Sequence, residues 1–337
     1  MPTLTEAEEI SDIAFGYMGS KALFAALHFG VFTQLASAPA KINDLAAKTG
    51  LPGERCRTLL TALTALGLVE QDDGIYRNSP AAERFLVKGA KYDFGDYLRL
   101  QVGQQMYPLM DQIEPALSGD LPDDATASYA DWFSDPEQAR LYSESQHAGS
   151  LGPALGLARR VDLSSARTLL DVGGGTGAFA ITLCQNFPEL SATVVEFPNV
   201  AKLGRSFVDK AGLSERIAYR DGNALETEWP REQDAILMSY LLSGVPDHAH
   251  TGLIERAFDH LAPGGQLMVH DFVVDSDRAG PKNTALWQLQ HTAFTPEARS
   301  IADDWLEKQM TTAGFENVSV EPLIPGMTKL ALGTRPA

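Results

Sequence analysis

Residues 169–179 read Leu-Leu-Asp-Val-Gly-Gly-Gly-Thr-Gly-Ala-Phe, and they decide how the rest of the 337-residue chain is parsed. Leu169, Leu170 and Val172 form a short apolar run suited to a buried parallel strand, and residues 178–187 carry the pattern of a following helix. Between them, Gly173, Gly175 and Gly177 predict a tight turn open to close approach by a ligand, with helix-start amides that favour a negative group. The same glycines fit the dinucleotide fingerprint of nicotinamide enzymes, so the loop by itself leaves the ligand open. A second apolar run at 192–195 ends in Glu196, 25 residues after Asp171, where a carboxylate can accept from both hydroxyls of a ribose. That placement suits any adenosine cofactor.

Downstream of the loop, strand-like and helix-like patterns alternate, which predicts an α/β doubly wound sheet. Further strands are expected at 217–219, 235–239 and 266–272. Helices are expected at 200–211, at 305–313 with Gly314 as the stop, and up to Leu261 before Pro263-Gly264-Gly265. Residues 317–322 and 327–334 read as a closing antiparallel hairpin, which a nicotinamide-binding domain does not require. Upstream, Leu23, Phe24, Leu27, Val31, Phe32 and Leu35 recur at helical spacing and predict one amphipathic helix across 22–40. Two helices at 42–48 and 54–66, then a hairpin around Asp72-Asp73-Gly74, spell a winged helix. Residues 92–154 read as mostly helical with mixed aromatic and polar faces, and 122–127 as a solvent loop. The division expected is a helical, winged-helix-like domain at 1–155 and a Rossmann-like domain at 156–337.

The charge balance narrows the partners. With 27 basic against 44 acidic residues the net charge is −17, which repels phosphate backbones and anionic membranes. The helix that would read DNA offers only Arg55 and Arg57. Cys56 and Cys184 are isolated, without metal-ligand spacing, and imply a reducing cytoplasm. The acidic N-terminal stretch lacks the order of a secretory signal. The seven histidines show no ligand-spaced pairing with carboxylates, so the sequence supports no metal.

Together with Glu-Phe-Pro-Asn-Val at 196–200, Asp-Gly-Asn-Ala at 221–224, the stretch 234–247 and Leu-Ala-Pro-Gly-Gly at 261–265, the glycine loop resembles one family. It is that of the small-molecule O-methyltransferases that use S-adenosylmethionine, in which a helical winged-helix-like dimerisation domain precedes a class I methyltransferase fold. The resemblance implies a homodimer acting on a small molecule. It implies that the loop of Gly173, Gly175 and Gly177 holds the methionine part of S-adenosylmethionine and that Glu196 holds the ribose. Asn223 stands where the family has an aspartate near the adenine, its amide oxygen still able to accept from the exocyclic amine. Ser150 falls near the expected cofactor carboxylate, and Ser239 where the family often has a lysine. Asp171, Phe197, Gly222, Ala224 and Tyr240 complete the expected cofactor site.

One departure bears on mechanism. After the fourth strand the family usually reads Leu-His-Asp-Trp-x-Asp, its histidine being the base that deprotonates a phenol. This chain reads Leu242-Ser243-Gly244-Val245-Pro246-Asp247, and an unperturbed serine cannot act as a base near neutral pH. Three readings follow. The base has moved to His147, His270 or His291; the protein has become a binding, scaffold or DNA-binding regulatory protein; or the acceptor has no proton to lose, as with a thioether, a tertiary or aromatic nitrogen, or an electron-rich carbon. An intact glycine loop and Glu196 oppose the second. In-line displacement at a sulfonium methyl needs alignment above all, which favours the third. Aromatic side chains such as Tyr107, Tyr142, Tyr240, Trp287 and Phe294 would tolerate a sulfonium product.

Within the family the stretches 9–17, 91–97 and 142–147 are similar to bacterial methylthiohydroxybutyrate S-methyltransferases of dimethylsulfoniopropionate synthesis. That similarity implies S-methylation of 4-methylthio-2-hydroxybutyrate, with Tyr142, Gln146, His147, Gln290 and His291 beside its polar groups and Tyr107 and Tyr240 among the substrate contacts. An N-, C- or O-methyltransferase of an aromatic metabolite is the alternative.

Overall fold

The computed structural model describes residues 3–122, 128–295 and 297–337, the side chain of Phe294 excepted, so most of the loop expected at 122–127 lies outside it. Contacts divide the chain into two units, Met1–Pro108 and Leu109–Ala337.

The first unit runs α1 (Ala7–His28), α2 (Val31–Ser37), β1 (Ala40–Lys41), α3 (Ile42–Thr49), α4 (Gly53–Ala65), β2 (Val69–Asp72), β3 (Ile75–Asn78), α5 (Pro80–Phe85) and a π-helix at Tyr97–Met106. The strands form a small antiparallel sheet in the order β1-β3-β2, which completes the wing. Its turn uses two left-handed residues, Asp73 (φ 46°) and Gly74 (φ 74°), the backbone that a tight hairpin demands. The single helix expected across 22–40 is instead two. Gly30 takes a left-handed conformation (φ 68°) that ends α1 and swings α2 so that Val31, Phe32 and Leu35 reach a core shared with Ala26, Leu45, Leu60 and Leu63. The first half of α1 is different: Ile10, Ile13, Phe15, Tyr17 and Met18 are all more than half exposed.

In the second unit a seven-stranded sheet has the order β6-β5-β4-β7-β8-β10-β9. Its strands are β4 (Thr168–Val172), β5 (Ser191–Glu196), β6 (Ile217–Asp221), β7 (Gln233–Ser239), β8 (Leu261–Asp271), β9 (Glu316–Ile324) and β10 (Thr328–Thr334). The first five are parallel, and β10 lies antiparallel between β8 and β9. Strand order reverses between β4 and β7, which opens a crevice at their C-terminal ends. Burial on both faces explains the apolar run of β4: Leu169 joins the core on one side of the sheet and Leu170 the core on the other. The helix expected up to Leu261 ends at His260, just before Pro263-Gly264-Gly265, and these three residues bulge out of β8, between Leu261, which faces Gln233, and Gln266, which faces Ala235.

The helices from the boundary onward are α6 (Tyr107–Leu109), α7 (Ile113–Ser118), α8 (Tyr129–Ser134), α9 (Pro136–Ala158), α10 (Ala178–Asn186), α11 (Pro198–Lys210), α12 (Asp247–His260), α13 (Lys282–Phe294) and α14 (Asp303–Thr312). The Asp135 carboxylate caps α9 by accepting from the amides of Glu137 and Gln138, and Pro136 occupies its first turn. One helix thus passes through the 155/156 division expected from sequence. Its residues Ala154 and Leu157 are fully buried in the sheet core, so packing joins this helical segment to the sheet. Among the described residues no helix is long and apolar enough to cross a membrane.

Candidate active site

At the end of β4 the chain turns through Gly173 (φ 66°), Gly175 (φ 58°) and Gly177 (φ 76°), conformations that other residues adopt at a cost. Gly174 is required for space: a Cβ there would stand 2.6 Å from the Asp171 carboxyl and 2.7 Å from Val194. Glu196, at the end of β5, holds the loop by accepting from the Gly175 amide at Oε2 and from the Phe197 amide at Oε1, both 2.7 Å. Tyr219 of β6 supports it from another side, its hydroxyl donating to the Gly175 carbonyl at 3.1 Å. Room for that phenol comes from Gly204 of α11, where a Cβ would stand 2.1 Å from the Tyr219 oxygen. Tyr219 escaped the sequence reading, although a mid-helix glycine at 204 was its available signal.

Two buried carboxyls sit together here. Burial pushes Asp171 up to about 7, with the neighbouring Glu196 charge adding to it. Burial likewise pushes Glu196 up to about 7, against the pull of the Phe197 and Gly175 amides. Asp171 is fully buried beneath the loop and does not reach the cavity.

A cavity opens above this loop at the crevice. Of the residues expected to bind cofactor, Ser150, Gly173, Gly175, Glu196, Phe197, Asn223, Ala224, Ser239 and Tyr240 line it, as do Tyr142 and Gln146 from the expected acceptor set. Gly177 and Gly222 are not in its lining. Among the described residues, Glu196 contributes the lining's one carboxylate, and no lysine or arginine lines it. Such walls suit a ribose diol and a sulfonium cation and give the pyrophosphate of a nicotinamide dinucleotide no cationic partner. The Asn223 side-chain oxygen accepts from the Leu225 amide (3.0 Å), which uses one of its two lone pairs. At the end of β7, Tyr240 takes a left-handed backbone (φ 57°), strain of a kind that collects at functional sites. Its ring packs against His270 and Phe272, centroids 4.5 and 5.1 Å away.

The three imidazoles considered as bases lie elsewhere. His147 on α9 does not itself line the cavity, its Nδ1 2.7 Å from the hydroxyl of the lining residue Thr176 and its ring stacked on Phe207; burial, then the Lys210 charge, push it down to about 4. His270 is locked between the hydroxyls of Ser239 and Thr328, each 2.9 Å away, and burial pushes it down to about 3. His291 is buried on α13 with its ring edge-on to Phe272 and Trp287, and burial pushes it down to about 3. Gln290 beside it is buried as well, and neither residue lines the cavity. Tyr107 belongs to the first unit, where its ring meets the edge of Phe24 and carries Lys21 Nζ 4.0 Å above it. Ser243 is buried in a short helical turn (Leu242–Gly244), its amide donating to Asp271 at 3.0 Å, and Gly244 rather than Ser243 lines the cavity. Among the described residues no histidine is part of that lining.

Sequence reasoning missed Tyr129, which lines the cavity from α8 together with Phe133, one of the aromatic side chains of the mixed helical stretch at 92–154. They pile against Trp132, Tyr142 and Phe197, with Phe133 and Tyr142 centroids 4.9 Å apart. The available signal was the helix start Ser128-x-x-Asp131 around that aromatic cluster, where the Ser128 hydroxyl accepts from the Asp131 amide.

A Rossmann-like sheet with an antiparallel hairpin, a glycine loop tied to an acidic residue after the second strand, and a winged-helix unit ahead of it define a class of methyltransferase. Comparison with known proteins agrees. Residues 126–316 match the O-methyltransferase domain and residues 11–88 the O-methyltransferase dimerisation domain. A 3-hydroxy-5-methyl-1-naphthoate 3-O-methyltransferase of Streptomyces sahachiroi is 33% identical over 83% of this chain and 81% of its own length. The N,N-dimethyltransferase OxyT of Streptomyces rimosus is 29% identical over 93% of this chain and 91% of its own. Human N-acetylserotonin methyltransferase, solved in complex with S-adenosylmethionine, shares the fold with a TM-score of 0.85 over the whole of both chains at 22% identity. The chain belongs to the O-methyltransferase family and is a small-molecule methyltransferase that uses S-adenosylmethionine.

Proposed function

We propose that this enzyme methylates the sulfur of a small thioether acid of the 4-methylthio-2-hydroxybutyrate type, and that no side chain takes a proton in the chemical step. One observation carries the reading: Ser243 stands at the family's base position, and among the described residues no histidine lines the cavity. S-adenosylmethionine supplies an electrophilic methyl group on a positively charged sulfur. The acceptor's lone pair forms the new bond as the old carbon–sulfur bond breaks, its electron pair staying with the departing sulfur. A thioether sulfur has no proton to release, so alignment suffices. Glu196 and the glycine loop would hold the cofactor, with Asn223, Ala224 and Phe197 at its adenosine end. Tyr142 and Gln146 position the acceptor; the Gln146 amide oxygen has no hydrogen-bond partner among the described residues and suits the 2-hydroxyl. The aromatic wall of Tyr129, Phe133 and Tyr142 offers ring faces to the sulfonium product.

Under this proposal the turnover number at saturation is expected to stay within about twofold across the pH range in which the fold survives, and Ser243→Ala to change it less than about threefold. Steady-state kinetics with a panel comprising the thioether acid, an aromatic amine and a phenol, read by mass spectrometry, tests both. A phenol-only enzyme with a rising limb near neutral pH that a His147 or His291 substitution abolishes would overturn the reading. Nitrogen methylation is the second reading, favoured by the likeness to OxyT; a neutral amine also attacks through a lone pair without a base.

We assign dimerisation and acceptor binding to residues 1–155, cofactor binding to 156–337, and the setting to the cytoplasm. The exposed apolar residues in the first half of α1 suit a homodimer interface. Light scattering is expected to give a dimer at micromolar concentration, and Ile13→Asp with Phe15→Asp to shift it toward monomer; an unchanged mass would count against this face.

A further inference from the structure

Gly244 ends the turn after β7 and lines the cavity. Its φ is not in the left-handed region, so the backbone makes no demand for glycine there. Space does. A Cβ at this position would stand 2.7 Å from Cε2 and 3.2 Å from Cδ2 of Tyr129, so the aromatic ring lies directly on the Gly244 backbone. Neither piece is free to give way. Tyr129 is the first residue of α8, which is capped by Ser128 and tied to α11 by the Asn199 amide donating to the Phe133 carbonyl at 2.9 Å. Its ring is hemmed in by Phe133 and Tyr142, centroids 5.4 and 5.9 Å away. On the other side, the turn is held by the Ser243 amide on Asp271 and by His250 Nε2 donating to the Leu242 carbonyl at 2.7 Å.

The glycine loop, Glu196 and Asn223 account for the adenosyl end of the cavity, which leaves Tyr129, Tyr142, Gln146 and Gly244 to bound the acceptor. We propose that Tyr129 and Gly244 form one specificity-determining wall that restricts the acceptor to a narrow aliphatic chain and excludes fused aromatic rings. This deepens the function proposed above and rests on it for the identity of the acceptor. A side chain at 244 has no room while the ring is present, and the loss of the ring opens the width that a two-ring acceptor needs. The two positions therefore act as a unit, and their substitutions are not additive.

The experiment is a double-mutant cycle of Gly244→Ala, Tyr129→Ala and both together. It is read as kcat/KM with 4-methylthio-2-hydroxybutyrate and with 1,3-dihydroxynaphthalene, with the S-adenosylmethionine Kd and Tm measured for every variant. Gly244→Ala is expected to lower kcat/KM for the wild-type acceptor by about twentyfold or more while the cofactor Kd moves less than about threefold. In the Tyr129→Ala background the same change is expected to cost less than about threefold. Tyr129→Ala alone is expected to shift the ratio of naphthol to thioether turnover by about tenfold or more toward the naphthol, and Tyr129→Phe to leave that ratio unchanged. Equal cost of Gly244→Ala in both backgrounds overturns the wall. Should Gly244→Ala fail to fold, an unaltered acceptor ratio in Tyr129→Ala overturns it. If the wild type proves to use an amine or a phenol, the cycle is read with that acceptor. Coupling then retains the wall against fused rings and removes the thioether reading and, for a phenol, the aliphatic restriction with it, whereas thioether turnover without coupling keeps the thioether reading and removes the wall.

Discussion

Replacing Glu196 with alanine is expected to raise the Kd for S-adenosylmethionine by about ten- to a hundredfold. The carboxylate already accepts from the amides of Gly175 and Phe197, so its removal strips a partner from the loop and, under the proposed role, from the cofactor ribose as well. Lost hydrogen bonds to a charged group are worth about 1.5 to 3 kcal/mol, and each 1.4 kcal/mol is about tenfold in Kd. Glu196→Gln keeps one acceptor oxygen and is expected to fall between. Isothermal titration calorimetry measures both. A change under about threefold for the alanine variant would remove Glu196 from the binding site.

The second large effect concerns Asp171, whose buried carboxyl is pushed up to about 7 against an ordinary value near 4. Below the ordinary value the folded and unfolded chains both hold this proton, and the group is neutral to stability. As pH rises between about 4 and about 7 the unfolded chain releases a proton that the fold retains, so this group lowers stability through that window and the loss levels off above it. A shift of about three units corresponds to at most about 4 kcal/mol. Asp171→Asn keeps the shape under Gly174 and cannot ionise. The cofactor-free variant is therefore expected to lose less stability between pH 5 and pH 7.5 than the wild type, and to be the more stable of the two at pH 7.5. Denaturant titrations at the two pH values decide it. Equal pH slopes would mean that Asp171 ionises in the fold without penalty.

How much of this was legible beforehand depended on whether a feature is local. The strand–glycine–helix unit at 169–179 and Glu196 after the next strand were readable because each depends on the backbone within a few residues: buried apolar runs, left-handed glycines, an acid at a strand end. The wing hairpin, with Asp73-Gly74 at its turn, was readable for the same reason. Boundaries were less so. The break at Gly30 looked like an interruption of one amphipathic stripe, since both sides keep helical spacing and only packing against Leu45 and Leu60 shows that the chain must turn.

The candidate site divided along the same line. Ser243 in the family's base position could be read from sequence, and it set the mechanistic question. Which side chains face the cavity could not, because that depends on how helices far apart in sequence rotate against the sheet. His147, His270 and His291 have identical intrinsic chemistry. Burial against Phe207, between Ser239 and Thr328, and against Phe272 takes all three out of the cavity lining and depresses their basicity. Tyr129 and Gly244 are 115 positions apart and meet only in the folded chain, so their fit has no sequence pattern. The sequence by itself determined the sheet, the cofactor loop and its acidic partner, since short-range sterics and periodicity specify them. The fit of Tyr129 on Gly244, the proposed acceptor wall, was decided by tertiary packing, because its shape exists only where residues from separate elements exclude one another from the same space.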